Sequence, residues 1–238
     1  MEENIKRHIF LVPSLLSPGT KEKVIPPYIL DIIKSIKYYF VEDIRTTRRF
    51  ISELKTDVKI DDLIFYKVDK NSSLAEVDSF FREVKDNNVA VLSEAGCPAI
   101  ADPGHLIVQY GHKSGRTVKP LVGPNSILLA LMASGFNGQS FCFSGYLPIE
   151  RNERIKKIKY FEKESRQKDQ TQIFIETPYR NTHLLQDLIT NLMPETWLCV
   201  ASDLTGENES IISKKINQWR APLPEIKNIP TVFLIYAI

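Results

Sequence analysis

The sequence is short of the residues that several kinds of protein are built from. Its three cysteines, Cys97, Cys142 and Cys199, lie far apart. They offer neither a disulfide framework nor a CxxC pair, and a reducing compartment is expected. Four histidines, His8, His105, His112 and His183, fall at no metal-ligand spacing, so no metal site is expected. No apolar run approaches the ~18 residues of a membrane-crossing helix, and the opening M-E-E-N-I-K-R is too polar to begin a signal peptide. A cytoplasmic protein with no membrane partner is expected. Charge of one sign is also missing. The 31 basic and 29 acidic residues leave a net +2, which permits an RNA partner without arguing for one. The phosphate loop GxxxxGKS/T, the GxGxxG fingerprint, the GxSxG elbow and HExxH are all absent.

What is present is an alternation of short apolar runs and amphipathic stretches. Residues 9–12, 38–41, 63–68, 89–92 and 118–121 read as strands. Between them, Ile29, Ile32, Ile33 and Ile36, then Leu74, Val77, Phe81 and Val84, recur at helical spacing. This rhythm predicts a mostly parallel sheet with helices on both faces. The run P-L-V-G-P-N-S at 120–126 is the boundary candidate, dividing the chain into α/β domains at 1–121 and 122–238. The second half reads as strands at 141–145, 172–175, 197–201 and 231–237. It has a highly charged helix at 151–168, an amphipathic helix carrying Leu184, Leu185, Leu188, Ile189 and Leu192, and a helix around 214–219. Solvation explains the charge of the 151–168 segment better than an RNA groove does.

The stretch V-A-V-L-S-E-A-G-C-P-A-I-A-D-P-G at 89–104 organises the rest. A buried strand runs into a loop of small residues, and Asp102 is placed to cap the helix that follows. In open α/β sheets, ligands bind beyond the carboxyl ends of strands. The loop therefore suits a ligand that approaches the backbone, with Glu94 as a carboxylate for a hydroxyl or amine, although a plain strand-to-helix connection would look the same. Pro98 and Ile100 stand where a Rossmann-type methyltransferase would need glycines. Cys97, with no histidine beside it in sequence, reads as a packed thiol. The cluster E-D-I-R-T-T-R-R at 42–49 sits at a strand end. There it reads as a helix start with acid ahead of base, as the dipole favours, or as reactive groups.

Residues 93–104 resemble the S-D-A-G-x-P-x-x-x-D-P-G motif of the tetrapyrrole methylase superfamily, in its branch of 16S ribosomal RNA cytidine-2′-O-methyltransferases. Further blocks follow in the same order: L-V-P at 11–13; E-D-I-R-T-T at 42–47, similar to E-D-T-R-x-T; and P-L-V-G-P-N-S at 120–126 with A-L-M-A-S-G at 130–135. Then come F-C-F-S-G-Y-L-P at 141–148; E-T-P-Y-R at 176–180, similar to E-S-P-H-R; and D-L-T at 203–205, similar to E-L-T. The resemblance implies two α/β domains with S-adenosylmethionine in the cleft between them, in a homodimer. It also implies cofactor contacts at Pro13, Glu94, Ala95, Gly96, Cys97, Pro98, Ala101, Ser126, Pro230 and Thr231. Glu94 replaces the family's Asp and Cys97 its Thr.

Methyl transfer to a ribose hydroxyl needs in-line positioning and a base or cation to activate a poor nucleophile. Glu42, Asp43 and Arg45 are the catalytic candidates, the guanidinium holding a phosphate or a partner carboxylate. Glu176 and Arg180 are candidates for substrate binding, or form a structural pair. Substrate-side departures are S-L-L-S-P-G at 14–19 for P-I-G-N-L, D-K-N-S at 69–72 for H-N-E, and Gly206 for Lys. A helical C-terminal extension common in the ribosomal RNA enzymes has no counterpart here. The expected activity is RNA ribose methylation. The alternatives are methylation of a porphyrinoid ring carbon, or a non-catalytic relative that binds the cofactor.

Overall fold

The computed structural model describes residues 7–238, so most of the polar opening segment lies outside the described residues. The chain divides into two compact units, up to Asn125 and from Ser126 onward.

The first unit runs β1 (His8–Leu11), α1 (Lys21–Val24), α2 (Pro27–Ser35), β2 (Tyr38–Val41), α3 (Ile44–Glu53), β3 (Ile64–Lys67), α4 (Leu74–Val84), β4 (Val89–Leu92), α5 (His105–Lys113) and β5 (Thr117–Pro120). Its sheet has the order β3-β2-β4-β1-β5 and is parallel throughout. Parallel strands covered on both faces become continuous apolar runs, and β4 is buried along its whole length. Side chains alternate between two cores. Tyr39, Val41, Ala90 and Leu92 pack with Ile29, Ile33, Phe50 and Ile51 from α2 and α3. Phe40, Val89 and Val91 pack with Val77, Phe81 and Ile107 from α4 and α5. Helix starts follow local chemistry. Pro27 opens α2, Asp43 caps α3, and Ser73 with Glu76 forms a capping box on α4.

The second unit runs α6 (Ser126–Ser134), β6 (Phe141–Tyr146), α7 (Arg151–Lys168), β7 (Thr171–Ile175), α8 (Asn181–Asn191), β8 (Trp197–Ser202), β9 (Ser210–Lys215) and β10 (Thr231–Tyr236). The sheet order is β6-β7-β10-β8-β9. Only β6 and β7 pair in parallel; β10 runs antiparallel to both its neighbours, and β8 and β9 are antiparallel. The core gathers Phe161, Phe174, Phe233, Leu184, Leu185 and Leu188 between α7, α8 and the sheet. Glu150 caps α7, and Asp169 in the left-handed region ends it. The helix expected around residues 214–219 is instead the end of β9 followed by a single tight turn at Ile216–Gln218. Pairing with β8 along its length outweighs the local helical pattern.

Among the described residues no helix is long and apolar enough to cross a membrane, and no group of three or more His, Cys, Asp and Glu could hold a metal ion.

Candidate active site

The loop after β4 is built on unusual backbone. Gly96 has φ +74°, and Ala99 and Ala101 have φ 66° and 62°. Left-handed alanines are uncommon and cost free energy, so they persist only where surroundings fix them. Here the fixing group is Asp102, whose Oδ1 accepts from the amides of Ala99 at 2.9 Å and Gly104 at 2.7 Å. It therefore caps the turn at 99–104 and not α5 itself, which begins after Gly104. The front of the loop is tied to the segment after β1. The Ser14 amide donates to the Gly96 carbonyl at 2.9 Å, and the Ser14 hydroxyl to the Ser93 carbonyl at 3.2 Å. A Cβ on Gly96 would lie 3.2 Å from Leu16 and 3.4 Å from the Pro124 carbonyl, and one on Gly123 would overlap the Pro13 ring at 2.2 Å. Pro13, Gly96 and residues 123–124 thus close around one another, while Glu94 and Ala95 stand exposed at the loop's tip.

The carboxyl ends of β2 and β4 meet the same loop. Glu42, the first residue past β2, shares with Asp102, Leu92 and Gly104 a cavity of about 10 Å³, room for about one water. The Glu42 carboxyl is raised above its ordinary pKa, first by burial and then by the carboxylates of Glu94, Asp102, Asp69 and Asp43. Asp102 is also raised, burial outweighing the backbone amides and the His105 charge that favour its ionised form, and its Oδ2 is buried without a hydrogen-bond partner. Asp43 goes the opposite way. Its carboxylate accepts from the Thr46 amide at 2.7 Å, and that bond holds it below its usual range. Burial pushes the Cys97 thiol up, and its Sγ lies 3.4 Å from the Pro124 carbonyl, a packed group and a poor nucleophile. Arg45 is exposed on the first turn of α3.

Of the expected cofactor contacts, Pro13, Glu94, Ala95, Gly96, Cys97, Pro98 and Ala101 belong to this loop and its neighbours. Ser126, Pro230 and Thr231 lie in the second unit, at the start of α6 and at the entry to β10. Thr231 is buried, its hydroxyl donating to the Ile229 carbonyl at 2.9 Å.

Glu176 and Arg180 lie beyond the end of β7 and pair with each other, Glu176 being only 4% exposed. They line a pocket of about 470 Å³ whose wall also carries Arg151, Arg154, His183 and Asp187. Arg154 reaches Asp187 through Nε at 2.9 Å and Nη2 at 2.7 Å, and donates through Nη1 to the Ile149 carbonyl at 2.8 Å. Sequence reasoning missed Asp102 as an open carboxylate, because a D-P-G triplet reads first as a turn. It also missed the Arg154–Asp187 pair. A signal was available in the helical phase, for Arg154 falls one turn before Ile158 on the buried face of α7.

No protein-family model matches the chain. By sequence it is similar to the ribosomal RNA small subunit methyltransferase I of Vibrio cholerae, 33% identical over 182 residues that cover 76% of this chain and 60% of the relative. It is likewise similar to the protein of that name from Escherichia coli O157:H7, 26% identical over 95% of this chain and 75% of the relative. The matched part spans about half to two thirds of the length of most such relatives. By fold it is similar to the methyltransferase CobJ, with a TM-score of 0.63 and 17% identity over 97% of this chain and 94% of that one. The uroporphyrin-III C-methyltransferase of Thermus thermophilus, solved with S-adenosylhomocysteine, gives a TM-score of 0.54 at 13% identity over 97% of each chain. With its motif blocks, its two α/β units and these relatives, the chain is similar in sequence to ribosomal RNA small subunit methyltransferases I and shares the fold of the tetrapyrrole methyltransferases.

Proposed function

We propose that the chain is an S-adenosylmethionine-dependent methyltransferase that modifies a ribose hydroxyl of small-subunit ribosomal RNA. The observation that carries this reading is the acidic strand-end site of the first unit. Glu42 has a raised pKa beside Asp102, and Asp102 keeps a buried oxygen with no partner, next to a loop of small residues held in left-handed conformations. S-adenosylmethionine carries a sulfonium and an ammonium, and the donor set fits it. Glu94 and Asp102 supply carboxylates toward positive charge, and Gly96, Ala99 and Ala101 keep the loop free of bulk. When bound, the cofactor supplies an electrophilic methyl group that needs no covalent enzyme intermediate.

The chain's own residues then have three tasks. The loop at 93–104 fixes the donor and excludes water. Glu42 accepts the proton of the attacking hydroxyl, since a base works best with a pKa nearer the operating pH. Asp43, held low by its cap, keeps α3 in place and is the weaker base. Arg45, exposed beside them, offers a guanidinium to a phosphate of the RNA. Ser126, Pro230 and Thr231 are proposed as further cofactor contacts, with domains divided near residues 121–122. We infer a cytoplasmic homodimer, as the resemblance implies; exposed Met132 and Ile149, at 79% and 75%, suit a protein surface that is covered in an assembly.

Isothermal titration with S-adenosylmethionine and S-adenosylhomocysteine, followed by transfer of labelled methyl groups to purified small ribosomal subunits, tests the proposal. Micromolar binding with labelling of one cytidine ribose is expected. Absence of cofactor binding would sink it, and sedimentation as a monomer would remove the dimer.

A further inference from the structure

The pocket of the second unit is outside the chemistry just described and has its own construction. It sits at the carboxyl ends of the parallel pair β6 and β7, between the first turns of α7 and α8. At about 470 Å³ it falls in the range of ligand sites. Its wall holds three guanidiniums against two carboxylates, with His183 exposed beside them. The charges are not spent equally. Arg154 is consumed by Asp187 and the Ile149 carbonyl. Arg151, whose side chain is 67% exposed, gives only its Nε to Asp187 at 3.0 Å, and its two terminal nitrogens have no hydrogen bond among the described residues. Arg180 donates through Nε to Thr177 and through Nη2 to Glu176, its Nη1 having no hydrogen bond among the described residues, while the second oxygen of Glu176 is buried without a partner. The ion pairs therefore act as a frame that holds Arg151 and Arg180 in the pocket wall with N–H groups to spare. Forked guanidinium donors held in this way match the oxygens of a phosphate.

We infer that this pocket binds a backbone phosphate of the RNA substrate, a subsite distinct in place and in charge from the acidic site of the first unit. The assignment rests on the RNA-methyltransferase reading and deepens it by naming where the second unit grips the strand. Arg151 is the residue to test. It is exposed, and Asp187 keeps Arg154 as a partner without it.

The experiment measures anisotropy of a fluorescein-labelled 12-nucleotide single-stranded RNA with the full chain, across salt concentrations, for wild type, Arg151→Ala and Arg151→Glu. Each sample is also titrated with S-adenosylmethionine and melted. Arg151→Ala is expected to weaken RNA about tenfold and to lower the salt slope by about 0.7, one single-strand phosphate contact. Arg151→Glu is expected to weaken it about a hundredfold. Melting temperature and cofactor affinity should stay as in wild type. Wild-type RNA affinity and slope in both variants would overturn the inference. So would wild-type protein that binds no RNA in low salt. If that protein still binds S-adenosylmethionine, only the phosphate subsite falls; if it binds neither, the methyltransferase reading falls with it. Titration with inorganic phosphate separates the two sources of the anion. Phosphate heat that is lost in Arg151→Ala while RNA binding is untouched would make the pocket a free-anion site and refute the RNA assignment.

Discussion

The two units solve the same geometrical problem with opposite charge. In the first, the ends of β2 and β4 open onto Glu42 and Asp102, and both carboxyls stand above their ordinary pKa, Asp102 by burial and Glu42 by burial and then the carboxylates around it. In the second, the ends of β6 and β7 open onto arginines whose buried members are neutralised by Asp187 and Glu176. The acidic site leaves an Asp102 oxygen unmatched; the basic one also leaves a Glu176 oxygen unmatched, but sets it among three guanidiniums, two of which keep N–H groups with no hydrogen bond among the described residues. What each lacks describes its partner. The first calls for a cation or a proton, the second for an anion. The proposed reaction needs both, a sulfonium donor and a polyanionic acceptor.

The sharpest way to break this contrast is Glu42→Gln. We expect methyl transfer to fall by about 10²–10⁴-fold, the usual contribution of a general base, with cofactor affinity largely kept. In wild type the rate should rise with pH through a pKa above the ordinary carboxylate range, and Glu42→Gln should flatten that limb. The stability sign is opposite to the activity sign. A carboxyl raised in the folded state binds its proton more tightly there than in the unfolded chain. Folding stability is then lost as pH rises through the window between its unfolded and folded pKa values. Glu42→Gln should therefore raise the melting temperature at neutral pH. A variant that melts lower and works as well as wild type would refute the assignment.

Next in size is Asp187→Ala, which leaves Arg154 buried without its carboxylate. Breaking a buried pair from one side costs about 3–5 kcal/mol, read as a lower urea midpoint. A loss below ~1 kcal/mol would mean that the pair is solvated and the frame loose.

Smaller again is Gly96→Val. A β-branched residue at φ +74° is strained whatever the space, and its Cβ meets Leu16 and Pro124. Destabilisation of about 1–3 kcal/mol should accompany loss of S-adenosylmethionine binding by titration. Retained binding would move the cofactor off this loop. The mildest change is Asp43→Ala, with about 1 kcal/mol lost with the α3 cap and less than a tenfold drop in rate. A drop as large as that of Glu42→Gln would exchange the roles of the two acids.

The first unit was legible because its rules are local. Alternating apolar runs and helix periods predict a parallel α/β layer, and the loop at 93–104 announces itself by small residues after a buried strand. What the sequence conceals is carried by long-range partners. Arg154 and Asp187 meet across 33 residues, so Arg151 and Arg154 read together as the surface of a charged helix until the fold separates the buried one from the exposed one. The segment around 214–219 misled for the same reason, since its conformation is set by β8 and not by its own periodicity. Of the two carboxylates at 42 and 43, sequence offers equal candidates. Only the Thr46 hydrogen bond assigns one to the helix cap.

The place of β10 has a consequence for how the molecule is made. The first unit has all its strands by Pro120, so its sheet can assemble while later residues are still being translated. The second cannot do the same, because its last strand in sequence is its middle strand in space, between β7 and β8. At about 5–20 residues per second, its halves wait on the order of several seconds with unpaired inner edges before residues 231–236 arrive. During that interval the arginine pocket already has its whole wall in the nascent chain, yet the sheet beneath it is still open, which makes this half the one most exposed to misassembly and to chaperones.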